Sequence, residues 1–208
     1  NIPEMRLYCF LSSGRLVRTS PVGVGTPEWP SPLGEFPVSE MIKHPSWTVP
    51  PALRSKYETG AIPPGPNNPL GDYWIGLGDS GYGIHDTNIP WSVGRTSTHG
   101  CIRLYPEDIE RLFPLVDLSW KIKMVYKPIK IGLRKGRIYV EVHPDIYNRI
   151  ENRVEYVLSR LEKAELNLLS IDFQALRQAL SRASGKPVDI TGGNRPVRSA
   201  TPKHRAEP

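Results

Sequence analysis

Cysteine is nearly absent from this sequence, with two residues in 208, and methionine (three) and phenylalanine (four) are scarce. Two cysteines cannot build a disulfide framework, and no Cys-x-x-Cys pair is present to found a zinc ribbon or a dithiol redox site. No apolar run approaches the roughly 20 residues of a membrane-spanning helix. No internal repeat is evident, and no basic helix with interleaved aromatics points to nucleic acid. Proline is abundant instead, with 22 residues, twelve of them clustered between Pro21 and Pro69. That density opposes regular structure and favours ordered loops.

What is present suits one medium domain with an appendage. A hydrophobic content of 38% is enough for a core. The net charge is +6 and the pI about 9.4, a balance that suits an anionic polymer as partner. Much of the excess falls at Arg195, Arg198, Lys203 and Arg205, among Pro, Gly and Ser, which reads as a flexible basic tail over 186–208. The chain begins at Asn1 without a signal peptide, so it reads as a mature or trimmed form whose localisation signal lies outside it.

The chemistry is concentrated in Thr98-His99-Gly100-Cys101-Ile102-Arg103-Leu104 and in Gly83-Ile84-His85-Asp86-Thr87 upstream. A thiol with pKa near ~8.5 is only slightly ionised at neutral pH, so a nucleophilic cysteine needs a neighbouring base. His85 lies sixteen residues before Cys101. The two can meet if the chain loops out through Pro90 and Gly94 and returns. Pro106, Glu107 and Asp108 announce a short helix after the cysteine, whose N-terminal dipole can lower the thiol pKa. Gly100 permits close approach of a substrate, and the amides of Gly100 and Cys101 can face a developing oxyanion. Cys9, in an apolar run, reads as a small buried hydrophobe, and both cysteines are expected to be free. A zinc site on His85, His99 and Cys101 is the rival reading, but it lacks a fourth ligand.

These segments resemble the catalytic signature of the L,D-transpeptidase (YkuD) domain: a histidine, then Ser/Thr-His-Gly-Cys at this interval. Ser31-Pro32-Leu33-Gly34-Glu35-Phe36 and the Pro63–Gly71 segment agree with the periplasmic ErfK-like branch, and the resemblance covers about residues 1–143. It implies that Cys101 is the acyl-accepting nucleophile, that His85 is its base, and that a backbone carbonyl near Asp86 orients His85. It also implies that His99 supports the oxyanion region and that Arg103 holds the catalytic loop or a substrate carboxylate. Acylation by carbapenems is a further implication. Asp86 departs from the Gly or Ser common after this histidine. Its carboxylate either pairs with His85, favouring a thiolate–imidazolium pair, or faces solvent while only its backbone matters. Thr98 stands where serine is commoner and can make the same hydrogen bond.

Short apolar segments at 5–10, 16–24, 36–42, 73–77, 121–126 and 137–142 predict a mainly β fold, a mixed sandwich or barrel with one short helix after the cysteine. Residues 43–71 read as a long ordered loop. Its Trp47 and Tyr57 either pack the loop or touch substrate, and Tyr82, Trp91 and Arg95 are further candidates for substrate contact. The expected organisation is a catalytic domain over 1–143, a helical hairpin over 144–185 with helices at 145–163 and 173–183, and the tail. The hairpin stabilises the body or docks a partner.

The expected function is transfer of a peptidoglycan tetrapeptide stem through a Cys101 thioester to an amine, without metal or organic cofactor. The acceptor is another stem, giving a 3-3 cross-link, or a lysine of an envelope lipoprotein or outer-membrane protein. The rivals are a hydrolase using the same acyl-enzyme and a non-catalytic wall-binding module. The expected location is the periplasm or cell envelope, with neither nucleic acid nor a membrane span involved.

Overall fold

Short alternating runs cut by proline and glycine produce short strands, and the fold is mainly β with few helices. A computed structural model describes residues 1–57 and 60–193. They fall into two compact units, Asn1–Tyr126 and the residues from Lys127 onward.

The first unit contains β1 (Arg6–Phe10), β2 (Leu16–Pro21), β3 (Val24–Gly25), β4 (Gly34–Lys43), β5 (Trp47–Thr48), β6 (Ala61–Ile62), β7 (Tyr73–Leu77), β8 (Gly83–His85), β9 (Thr96–Thr98), β10 (Ile102–Arg103), α1 (Pro106–Leu112) and β11 (Lys121–Met124). Its main sheet runs β10-β8-β7-β4-β11 and curls into a half-barrel. β10 pairs parallel with β8, and the remaining neighbours are antiparallel. Ile75, Ile84 and Ile102 are register partners across β7, β8 and β10, and all three are buried in the core. Because strand side chains alternate, the next row, Trp74, His85 and Arg103, faces the opposite side. β3 runs parallel to β9, and Gly23 bridges Arg103.

The long loop from residue 43 carries more structure than expected. β5 and β6 pair across it, and Pro51–Lys56 forms a 3-10 turn. The buried Asn68 amide donates to the Pro45 carbonyl at 2.7 Å, and its oxygen accepts from the Leu70 amide at 2.9 Å. Trp47 and Tyr57 pack on each other edge to face, 5.0 Å between centroids, which favours the packing reading for this pair.

The second unit begins earlier than the expected boundary after 143. β12 (Ile129–Arg134) and β13 (Arg137–Val142) form a hairpin through Lys135 and Gly136, both at positive φ, as a two-residue turn of this hand requires. α2 (Arg153–Lys163), α3 (Phe173–Arg182) and β14 (Pro187–Asp189) follow, and β14 pairs with β13. Ile138, Val140 and Val142 join Val157, Leu161, Leu176 and Ile190 in one buried apolar cluster. Residues expected to open a helix at 145 do not. The Asp145 carboxylate accepts the Arg149 and Ile150 amides, Asn148 sits at φ 50°, and the helix starts after its Asn152 cap. The start of the expected tail instead supplies β14 and the Thr191 bridge to Ile171. The basic residues at 195, 198, 203 and 205 lie outside the described residues.

Candidate active site

β8 carries His85, and Cys101 stands immediately before β10. Arg103 is the register partner of His85, and Cys101, two residues earlier, returns to the same side. The Gly83 backbone hydrogen-bonds the Cys101 sulfur, so thiol and imidazole stand beside alternate residues of one strand. The thiol is free and half-buried. Cys9 is also free and is buried.

The tautomer of His85 follows from its neighbour. Nδ1 lies 2.5 Å from the Asp86 carbonyl, which can only accept, so Nδ1 carries the proton and Nε2 presents a lone pair. The ring is buried and stacks on Trp74 at 5.9 Å, with Trp74 anchored through Nε1 to Glu40 at 2.8 Å. Burial, and then the nearby Arg103 charge, push the His85 pKa down to about 3 against hydrogen bonds to the Asp86 and Leu70 backbone. Burial also raises the Cys101 thiol above its ordinary value, opposed by the Gly83 backbone and by Arg103. Both the thiol and the imidazole therefore rest neutral.

Both expectations for the Asp86 side chain are corrected. It neither faces solvent nor pairs with His85: it is buried and accepts the Asp72 and Tyr73 amides, each at 3.0 Å. Those two bonds fix the turn entering β7 that packs against the histidine strand. The thiol is raised rather than lowered, contrary to what the following helix led one to expect. β10 intervenes between Cys101 and a helix that starts only at Pro106.

The loop before the cysteine is closed by Thr98, whose hydroxyl donates to the Cys101 carbonyl at 2.7 Å and accepts the Gly100 amide at 3.1 Å. Gly100 has φ 111°, and a Cβ there would lie 2.4 Å from the Tyr82 ring, so the tyrosine lies directly on the loop backbone. Arg103 is locked between strands by exchange with Gly23, 3.0 Å and 2.8 Å, and its buried Nε has no hydrogen-bond partner among the described residues. Tyr57 bears electrostatically on Arg103. His99 is exposed and turns toward Trp29, 5.7 Å between ring centroids. Trp91 is 71% exposed and Arg95 is exposed, with its carbonyl accepting the Val24 amide. Neither is tied to Cys101 or His85 by a hydrogen bond. The donor atoms of His85, His99 and Cys101 do not all gather within 4.8 Å among the described residues, as a shared metal would require.

Two residues of this neighbourhood were missed from sequence, Trp74 and Trp29. Trp74 had a usable signal, since a strand with Trp flanking buried Ile75 can only turn its indole to the opposite face. Trp29 had none, because its approach to His99 depends on β3 pairing with β9.

A model of the family described as L,D-transpeptidase catalytic domain (YkuD) matches residues 1–153. The chain belongs to the YkuD L,D-transpeptidase catalytic domain family. It is 32% identical over 211 residues to the protein named "Probable L,D-transpeptidase ErfK/SrfK" of Escherichia coli (strain K12), covering 94% of this chain and 67% of that one. It is 29% identical over 204 residues to "Probable L,D-transpeptidase YcfS" of the same organism, covering 91% and 64%. The chain thus spans about two thirds of the length of these curated relatives. Among solved structures it is similar to an L,D-transpeptidase from Mycobacterium smegmatis, at TM-score 0.48 and 21% identity over 60% of this chain and 56% of that one.

Proposed function

We propose that this YkuD-family chain is a cysteine L,D-transpeptidase acting on cell-wall peptides in the bacterial envelope. The observation that carries the reading is the parallel β8–β10 register, which sets the sulfur of Cys101 beside the strand of a buried His85 whose Nε2 lone pair is held ready by the Asp86 carbonyl.

Cys101 sulfur attacks the carbonyl of the L,D bond in a tetrapeptide donor while His85 Nε2 takes the thiol proton. The C–N bond breaks, His85 returns that proton to the departing amine, and a thioester remains. An acceptor amine then attacks the thioester, the C–S bond breaks, and the amine proton passes through His85 to the Cys101 sulfur. The proton moves during the attack, because neither partner is charged at rest. The Gly100 and Cys101 amides, on the loop that Thr98 closes, suit a developing oxyanion. Arg103, with its Nε unpartnered, supplies the positive charge for the donor carboxylate or the oxyanion. His99, Tyr82, Trp91 and Arg95 are proposed as walls of the site. Peptidoglycan stems are the proposed donors, and a second stem or an envelope protein the acceptor.

The test is mass spectrometry of the protein and its Cys101→Ala variant after incubation with a purified disaccharide-tetrapeptide and, separately, with a carbapenem. A Cys101-dependent adduct with cross-linked dimers is expected. Adduct with only shortened stems would make the chain a hydrolase, and no adduct under reducing conditions would overturn the nucleophile.

A further inference from the structure

The loop from Thr26 to Ser31 is fastened to the strand that leads into the catalytic loop. The Thr26 amide donates to the Thr98 carbonyl at 3.0 Å, the Trp29 amide to the Thr26 carbonyl at 3.1 Å, and the Gly25 amide to the buried Ser31 hydroxyl at 2.9 Å. Gly25 lets the loop fold this tightly, for a Cβ there would sit 2.2 Å from the Trp29 carbonyl oxygen. Pro27, Pro30 and Pro32 stiffen it further. A loop held this firmly presents its side chains with little left to order on binding.

What it presents is an indole. Trp29 is 49% exposed and tilts at 52° against His99, two residues before the nucleophile. Its neighbour Glu28 is fully exposed, with its carboxylate drawn back to its own backbone amide and to Thr26, contacts that hold it below the usual carboxylate range. An exposed aromatic face backed by an imidazole, with a carboxylate on the preceding residue of the same loop, suits an organic cation. Tryptophan is the strongest of the aromatic side chains in that role.

The acceptor in the preceding subsection is an amine, which is cationic in water until it gives up a proton. A primary alkylamine with pKa near ~10.4 arrives as ammonium. We propose that Trp29, with Glu28 preceding it in the chain, is the seat of the acceptor: it holds the ammonium group of the incoming amine near the thioester. There the ammonium gives one proton to solvent to become the attacking amine, and the second, released on amide formation, passes through His85 to the Cys101 sulfur. The donor, by contrast, ends in a carboxylate and meets the positive Arg103. Opposite charges then sort the two substrates to different parts of one site. The inference rests on Cys101 forming a thioester, and it adds which chemistry the acceptor carries and which residue reads it.

The test separates the two half-reactions in the intact chain. Thioester formation from the tetrapeptide alone is followed by mass spectrometry. Resolution is then followed against increasing Nα-acetyl-lysine amide, a cationic amine, and hydroxylamine, a nucleophile uncharged at neutral pH. In Trp29→Leu the KM for the lysine amine is expected to rise about two- to fivefold, with a smaller rise in Trp29→Phe and in Glu28→Gln. The KM for hydroxylamine and the rate of thioester formation should move much less. Added salt should weaken the lysine amine and not hydroxylamine. An equal rise for both nucleophiles in Trp29→Leu and Trp29→Phe would overturn the assignment and make Trp29 a neutral wall. Slower thioester formation with the acceptor KM unchanged would overturn it by moving Trp29 to the donor side. Failure of the unaltered chain to form any thioester would overturn the transpeptidase reading itself, and is seen before an acceptor is added.

Discussion

The two units of the chain treat buried polarity in opposite ways. Of the ten buried polar residues among those described, eight lie in residues 1–126, whereas the second unit holds Asp145 and Ser170. Each buried polar group costs stability unless it is hydrogen-bonded. The first unit accepts that cost along its functional loops, where Asn68, Asp86 and Thr98 each hold backbone in place. The second is built around an apolar cluster between a three-stranded sheet and two capped helices. Charge divides in the same way. Residues 1–126 carry 11 Lys and Arg against 12 Asp and Glu, while 127–208 carry 16 against 9. The basic pI therefore describes the C-terminal part and says nothing about the polarity of the catalytic one.

Three changes test this contrast. The largest effect is expected for His85→Gln, which should lower the rate of thioester formation about 10²- to 10⁴-fold while the protein stays folded, measured by adduct accumulation and circular dichroism. The same variant carries a pH signature. His85 titrates at 6.5 in an open chain but only at about 3 in the fold, so between those values the unfolded chain binds the extra proton. Stability then falls as pH is lowered through that window, by about 1.4 kcal/mol per pH unit from this group. Asp86, raised above its ordinary value, works in the opposite sense, its contribution fading as pH rises through its folded pKa. Urea titrations from pH 7 to 4 should show a shallower acid loss in His85→Gln, and an identical slope would refute a buried, neutral imidazole.

Leu161→Ala probes the other unit. Leu161 is wholly buried, so truncation should cost about 2–5 kcal/mol, read as a lower urea midpoint, with labelling of Cys101 by a carbapenem intact below that midpoint. Loss of labelling in a folded variant would break the division of labour between the units. The smallest effect is expected for Thr98→Val, which leaves the Gly100 amide and Cys101 carbonyl without their shared hydroxyl. A cost of about 1–3 kcal/mol should appear in stability and as slower acylation, and Thr98→Ser should restore both. Equal behaviour of Val and Ser would mean that the hydroxyl is not what shapes the loop.

Much of the site was legible from the residues because its chemistry is local. Thr98 to Arg103 puts thiol, glycine and hydroxyl within six residues, and Pro106 marks the helix that follows. The strands at 6–10, 73–77 and 137–142 announced themselves by alternation. β8 and β10 did not, since segments of three and two residues carry too little periodicity to register. β12 was passed over although Ile129, Ile131 and Leu133 alternate ahead of Lys135-Gly136. The helix expected from 145 overran, because the Asp145 side chain takes the amides that a helix would have used.

The residues alone determined which groups could react: one thiol in a glycine-bearing loop and a histidine at looping distance. Tertiary structure decided their state. Burial and the Arg103 charge hold His85 neutral, and burial outweighs what would ionise Cys101. The Asp86 carboxylate is claimed by the Asp72 and Tyr73 amides, and Trp29 is brought to His99 by the pairing of β3 with β9. Those outcomes depend on desolvation and on contacts between segments far apart in the chain, which nearest-neighbour spacing does not encode.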